Sequence, residues 1–180
     1  MERKHIYIVC ALILVLALLL AAVLYIRFVK NAEPSAIDTL LEASSVAFVD
    51  PLGNPVNLAT YDESVRIINS WATWSPFSPE ELVALNTLAG EYKDRGVVVL
   101  AINRNEPPER IEAFLNTLPP LPNITFIRDT ADLLYAASAG YTMPETLFYS
   151  SDGELIFHKH GALTIDELRT QTESALTTSE

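Results

Sequence analysis

Trp71-Ala72-Thr73-Trp74-Ser75-Pro76-Phe77-Ser78-Pro79-Glu80-Glu81 joins a compact apolar run to an amphipathic one. Upstream, Val65–Asn69 predicts a short buried strand. Downstream, Leu82, Leu85, Leu88 and Ala89 recur at helical spacing and predict a helix from about Pro79 to Tyr92. Ser78-Pro79-Glu80-Glu81 has the form of a capping box, with serine at the cap, proline in the first turn and glutamate three residues on. The stretch is therefore a strand-to-helix turn, and it carries two serines, Ser75 and Ser78, at the mouth of the helix.

Strands and helices alternate on both sides of this turn. Val46–Val49 and Val56–Leu58 flank the turn-forming Asp50-Pro51-Leu52-Gly53-Asn54-Pro55 and predict a small hairpin. After the helix, Gly96 is a stop, and Val97–Ile102 is continuous and β-branched, as a parallel core strand should be. Pro107–Leu115 predicts a second helix, Ile124–Ile127 a third core strand and Asp132–Ala139 a short helix. Thr146–Tyr149 and Glu154–His158 surround Ser151-Asp152-Gly153, a hairpin signal, and a last helix begins near Ile165 with Thr164 as its cap. This order implies an α/β fold, a mixed central sheet with helices on both faces.

At this level of detail the chain resembles the TlpA/ResA-type thioredoxin-like family. The resemblance rests on the element order, on Trp-Ala-Thr-Trp before the turn and on the Gly-Val-Val-Val-Leu-Ala-Ile-Asn strand at 96–103. Tyr141-Thr142-Met143-Pro144-Glu145-Thr146-Leu147-Phe148 followed by Ser-Asp-Gly completes it. It spans Val46 to Leu168. Members are membrane-anchored or periplasmic thiol-disulfide oxidoreductases, several of which serve cytochrome c maturation. By position, the resemblance implies that Ser75 stands where the family has its nucleophilic cysteine and Ser78 where it has the resolving one. It implies that Pro144 is the cis-proline facing the motif, and that Asn69 is a buried polar residue beneath it. Thiol-disulfide exchange needs a thiolate, which a serine hydroxyl cannot supply. The only cysteine is Cys10, so residues 31–180 hold neither a redox pair nor a disulfide. No catalytic residue is expected: Ser75 and Ser78 are vestigial.

The two serines have a structural use as helix caps. Ser75 as a hydrolytic nucleophile would need a general base, and the only histidines beyond residue 5, His158 and His160, fall on the last hairpin. His158-x-His160 supplies half a metal site with no further soft ligand, so neither a metal nor any other cofactor is expected. Trp74, Pro76, Phe77, Met143 and Pro144 correspond to a partner-binding groove in the family. They either form such a groove, with strand addition at the residue before the proline, or are half-buried core edge. Two functions remain open. One is a redox-inactive module that binds a protein or peptide partner; the other is a thiol-disulfide oxidoreductase seen as a cysteine-to-serine variant.

Ile6–Ile26 is a run of 21 residues without a charge, flanked by Arg3 and Lys4 before it and Arg27 and Lys30 after it. As a helix it would be roughly 31 Å long, enough for a hydrocarbon core. It lacks the small-residue cleavage site of a signal peptide. The expected organisation is an N-terminal membrane anchor over 1–30, a juxtamembrane linker over 31–44 and a thioredoxin-like domain over 45–180. A single transmembrane helix would hold the C-terminal domain outside the cytoplasm. Residues 31–180 carry 8 Lys and Arg against 22 Asp and Glu. That balance excludes a nucleic-acid partner, which would need basic patches.

Overall fold

The computed structural model describes residues 7, 13–23, 47–61 and 64–178. The chain divides into two units, Met1–Ser35 and Ala36–Glu180. In the first, residues 13–23 are helical. Among the described residues no helix is long and apolar enough to cross a membrane. Most of Arg3–Ser44 outside 13–23, including the ends of the expected anchor and the whole expected linker, lies outside the described residues.

The second unit is a six-stranded mixed sheet in the order β1-β4-β3-β2-β5-β6. The strands are β1 (Phe48–Val49), β2 (Val65–Trp71), β3 (Val97–Arg104), β4 (Thr125–Asp129), β5 (Glu145–Tyr149) and β6 (Leu155–His160). β2, β3 and β4 run parallel, while β5, β6 and β1 are antiparallel to their neighbours. The helices are α1 (Ser78–Tyr92), α2 (Pro108–Leu115), α3 (Leu133–Ala137) and α4 (Ile165–Thr178). Every residue of β2 is buried, the apolar Val65, Ile67, Ile68 and Trp71 together with Arg66, Asn69 and Ser70.

Side-chain alternation splits the core in two. On one face, Ile67, Trp71, Val99, Ala101 and Phe148 pack with Leu82, Leu85 and Leu88 of α1, Ile111 of α2 and Leu168 of α4. On the other, Ile68, Leu100, Ile102, Leu147 and Tyr149 pack with Phe48, Leu58 and Leu134. Each fully buried leucine contributes about 1.5–3 kcal/mol from removal of its apolar surface from water. The α1 stripe alone thus fixes this helix under the turn that precedes it. α1 ends through a 3-10 turn, Lys93–Arg95, into Gly96, whose φ of 72° suits a residue without Cβ.

Two local expectations change. The hairpin around Asp50–Pro55 is reduced to a single bridge between Val49 and Pro55. Phe48–Val49 instead pairs with Arg128–Asp129 at the sheet edge, and Leu58 enters a 3-10 turn, Leu58–Tyr61, with its side chain in the core. The turn itself forms, with the Asp50 carboxylate accepting from the Leu52 and Asn54 N–H groups and the Val56 N–H donating to the Phe48 carbonyl at 2.8 Å. Burial of Leu58 then draws the chain away before a second strand develops. The capping box at Ser78 is also not formed. Phe77 is the cap residue, without a side-chain cap bond, and Ser78 Oγ is buried without a hydrogen-bond partner. The true capping box is at α4, where Thr164 Oγ1 accepts from the Glu167 N–H and Glu167 Oε2 accepts from the Thr164 N–H.

Candidate functional site

The site lies at the C-terminal end of β2, where the parallel strands β2 and β3 hand the chain to the loops before α1 and α2. Ala72–Ser75 is a tight turn, closed by the Ser75 N–H on the Ala72 carbonyl at 3.2 Å. Glu106, from the loop between β3 and α2, pins this turn from the side. Its carboxylate accepts from the Thr73 N–H at 2.7 Å and from Thr73 Oγ1 at 2.6 Å. Asn103 Nδ2 donates to the same Glu106 carboxylate at 2.9 Å. Nothing in the local sequence pairs Glu106 with Thr73, since the contact depends on the β2–β3 register that sets Trp71 beside Asn103.

Ser75 is only 2 % exposed. Its hydroxyl donates to the Met143 carbonyl at 3.0 Å and accepts from the Phe77 N–H at 3.4 Å. The Met143–Pro144 peptide is cis, and Pro144 leads directly into β5. The turn before α1 and the loop before β5 are therefore joined through Ser75. Met143 is 7 % exposed and its Sδ lies 3.8 Å from Ser70 Oγ. Of the two readings open for Met143, its burial fits the core edge, and its carbonyl already accepts one hydrogen bond from Ser75. Trp74 and Phe77 are not core edge, at 59 % and 57 % exposure, and Pro76 between them is exposed too. Tyr141, which the sequence did not single out, is also exposed, at 72 %.

Beneath the turn is a buried polar cluster. Asn69, on β2, is fully buried and donates through Nδ2 to Thr146 Oγ1 at 2.9 Å and to Glu81 Oε2 at 3.1 Å. Glu81 also accepts from the Leu163 N–H at 3.0 Å and from Thr146 Oγ1 at 3.3 Å. Its carboxyl faces inward from the first turn of α1, which is why it does not reach back to cap the helix. Burial pushes the Glu81 carboxyl up to about 7, against the opposing effect of the Leu163, Asn69 and Thr146 hydrogen bonds. A pocket of about 290 Å³ lined by Phe77, Glu81, Leu163 and Thr164 reaches this cluster from outside. A buried acid thus sits below Ser75, its raised pKa favouring the protonated carboxyl below about pH 7. His158 and His160 project from the opposite face of the sheet to Thr146 and engage Glu145 instead.

The geometry defines a thioredoxin-type site: a turn at the start of a helix, a facing cis-proline loop and a buried acid under both. Residues 39–158 match the AhpC/TSA family. The thiol-disulfide oxidoreductase ResA of Geobacillus kaustophilus is 27% identical over 163 residues, covering 89% of this chain and 91% of that protein. The thiol:disulfide interchange protein DsbE of Tatumella citrea is 30% identical over 162 residues, covering 85% of each. In fold, a crystal structure described as a thiol:disulfide interchange protein DsbE from Chlorobium tepidum superposes with a TM-score of 0.66 at 23% identity. The match covers 75% of this chain and 95% of that one. The chain belongs to the AhpC/TSA family, as a TlpA/ResA-like protein of thioredoxin fold.

Proposed function

We propose that this protein is a redox-inactive, membrane-tethered thioredoxin-like module that binds a protein or peptide partner beside its vestigial motif. The observation that carries the reading is Ser75 itself. It stands at the family's nucleophile position, and its hydroxyl is committed to the Met143 carbonyl. With Cys10 as the only cysteine, residues 31–180 offer no thiol to exchange with a substrate disulfide. Ser75 and Ser78 stand in for the cysteine pair, and the scaffold around them persists without its reaction. Trp74 and Phe77, both exposed, are the side-chain types that anchor partners at interfaces. Ile6–Ile26 anchors the chain once in the cell membrane, with the acidic C-terminal domain on the extracytoplasmic side. The N-terminal charge flanks are balanced, so orientation is tested separately, by labelling of a cysteine introduced at an exposed site in intact cells.

The reading is tested by assaying reduction of a model disulfide protein with the wild-type chain and with Ser75→Cys/Ser78→Cys. Wild type is expected at the dithiol background and the double variant above it. Wild-type turnover above background would return the protein to the oxidoreductases.

A further inference from the structure

On the face of the sheet opposite Glu81, three side chains converge that the site above does not use. β5 and β6 are antiparallel, with Glu145 directly opposite His160 and Leu147 opposite His158. Residues two apart on a strand share a face, so Glu145, His158 and His160 emerge together. Glu145 Oε1 lies 2.5 Å from His158 Nε2 and 3.2 Å from His160 Nδ1. One donor atom from each of the three falls within 4.8 Å of the others.

We infer that Glu145, His158 and His160 form a binding site for a divalent transition-metal ion of the zinc class. Glu145 is fully buried, and its second oxygen, Oε2, accepts from Ser138 Oγ at 2.9 Å. Gly140 packs so closely that a Cβ there would lie 2.7 Å from Oε2, so the carboxylate is held between α3 and the loop before β5. One imidazole is enough to satisfy Oε1. The second is surplus, and His160 Nδ1, though near that oxygen, is buried without a hydrogen bond. A cation between the three gives this orphaned nitrogen, the second imidazole and the carboxylate a common partner. Two imidazole nitrogens and one carboxylate oxygen are a donor set that suits zinc and its neighbours and is too nitrogen-rich for magnesium or calcium. Metal–nitrogen bonds of about 2.0–2.1 Å at tetrahedral angles set neighbouring donors roughly 3.3 Å apart. Glu145 Oε1 and His160 Nδ1 are already at 3.2 Å, and the 2.5 Å contact with His158 Nε2 would open to admit the ion. The imidazoles are partly exposed, which gives an ion an entry path and leaves a coordination position for water. Tyr141 stacks on His160 at 4.5 Å between ring centroids, and the His158 and His160 rings are 4.4 Å apart. Ring and hydroxyl contacts of this kind orient ligands before the metal arrives.

The sequence showed only half of this site. His158-x-His160 was visible as a pair on one strand face, but Glu145 joins it through the β5–β6 register alone.

The test is zinc competition against a chromophoric chelator, using the full chain purified in detergent. All proteins carry His5→Ala and Cys10→Ser, which removes the soft ligands of the N-terminal segment. One equivalent of zinc is expected to be withdrawn from the chelator, with no displacement by magnesium at a thousandfold excess. His158→Ala/His160→Ala should weaken binding by at least a hundredfold, and Ser138→Ala by about tenfold through the hydrogen bond to Glu145. Circular dichroism melts check that each variant folds. Cobalt(II) in place of zinc should give visible absorption bands that vanish in the double histidine variant. Failure to withdraw zinc, or equal zinc affinity in a folded double histidine variant, overturns the assignment.

Discussion

The Ser75 hydroxyl donates a 3.0 Å hydrogen bond to the Met143 carbonyl, joining two segments 68 residues apart in sequence. Ser78, one helical turn on, is also buried but bonds to nothing through its side chain. The two serines are equivalent in a motif and opposite in energetics. Ser75→Ala removes a donor from a buried carbonyl and should destabilise residues 31–180 by about 1–3 kcal/mol. Ser78→Ala removes an unsatisfied hydroxyl and should be neutral or slightly stabilising. If Ser78 were the helix cap, its loss would cost about 1 kcal/mol instead. Denaturant unfolding of both variants separates these outcomes.

Glu81 makes stability depend on pH. Its carboxyl titrates near 7 in the folded protein against an ordinary value of 4.5. Between these values the folded state holds a proton that the unfolded chain has released. Stability contributed by this group is therefore full below about pH 4.5 and falls as pH rises, with the loss complete above pH 7. The amplitude is on the order of 3 kcal/mol. Glu81→Gln, which keeps the shape and cannot ionise, should be flatter than wild type across that window. Other titrating groups are common to both proteins and cancel in the difference. Parallel stability profiles for the two proteins would contradict a buried, proton-holding Glu81.

Glu81 also shows where sequence reading stops. Ser78-Pro79-Glu80-Glu81 and Thr164-Ile165-Asp166-Glu167 carry the same local capping pattern. At α4 the partners are local and the helix end is exposed, so the pattern forms. At α1 the glutamate faces Asn69, Thr146 and Leu163, and these tertiary partners take it from the cap. The same distinction separates what was legible elsewhere. The strand Val97–Ile102 and the α1 stripe follow from periodicity, and Asn69 and Pro144 from resemblance. Glu106 on Thr73, Phe48 on Asp129, and Glu145 on His158 follow from strand register, which no local window contains.

The exposed aromatic side chains make the binding reading measurable. A photocrosslinking amino acid at position 74 or 77 should capture the partner in cells, while the same residue at Glu173, on α4, should not. Trp74→Ala and Phe77→Ala should each reduce capture from the other position several-fold, because exposed anchors of this type carry about 1–2 kcal/mol or more of binding energy. Removal of Glu109, an exposed acid on α2, should leave capture unchanged. Equal capture by all variants would move binding away from the motif.

The most direct measurement is the redox state of the motif positions themselves. Ser75→Cys/Ser78→Cys, alkylated before and after mild oxidation, should show one intramolecular disulfide that forms and reduces reversibly, because the Ser78 N–H already closes on the Ser75 carbonyl at 3.4 Å. The variant should then reduce a model disulfide protein, while the wild-type chain stays at the dithiol background. A wild-type chain that reduces the substrate, or a folded double variant whose cysteines cannot join, would contradict a preserved thioredoxin site that has lost only its thiols.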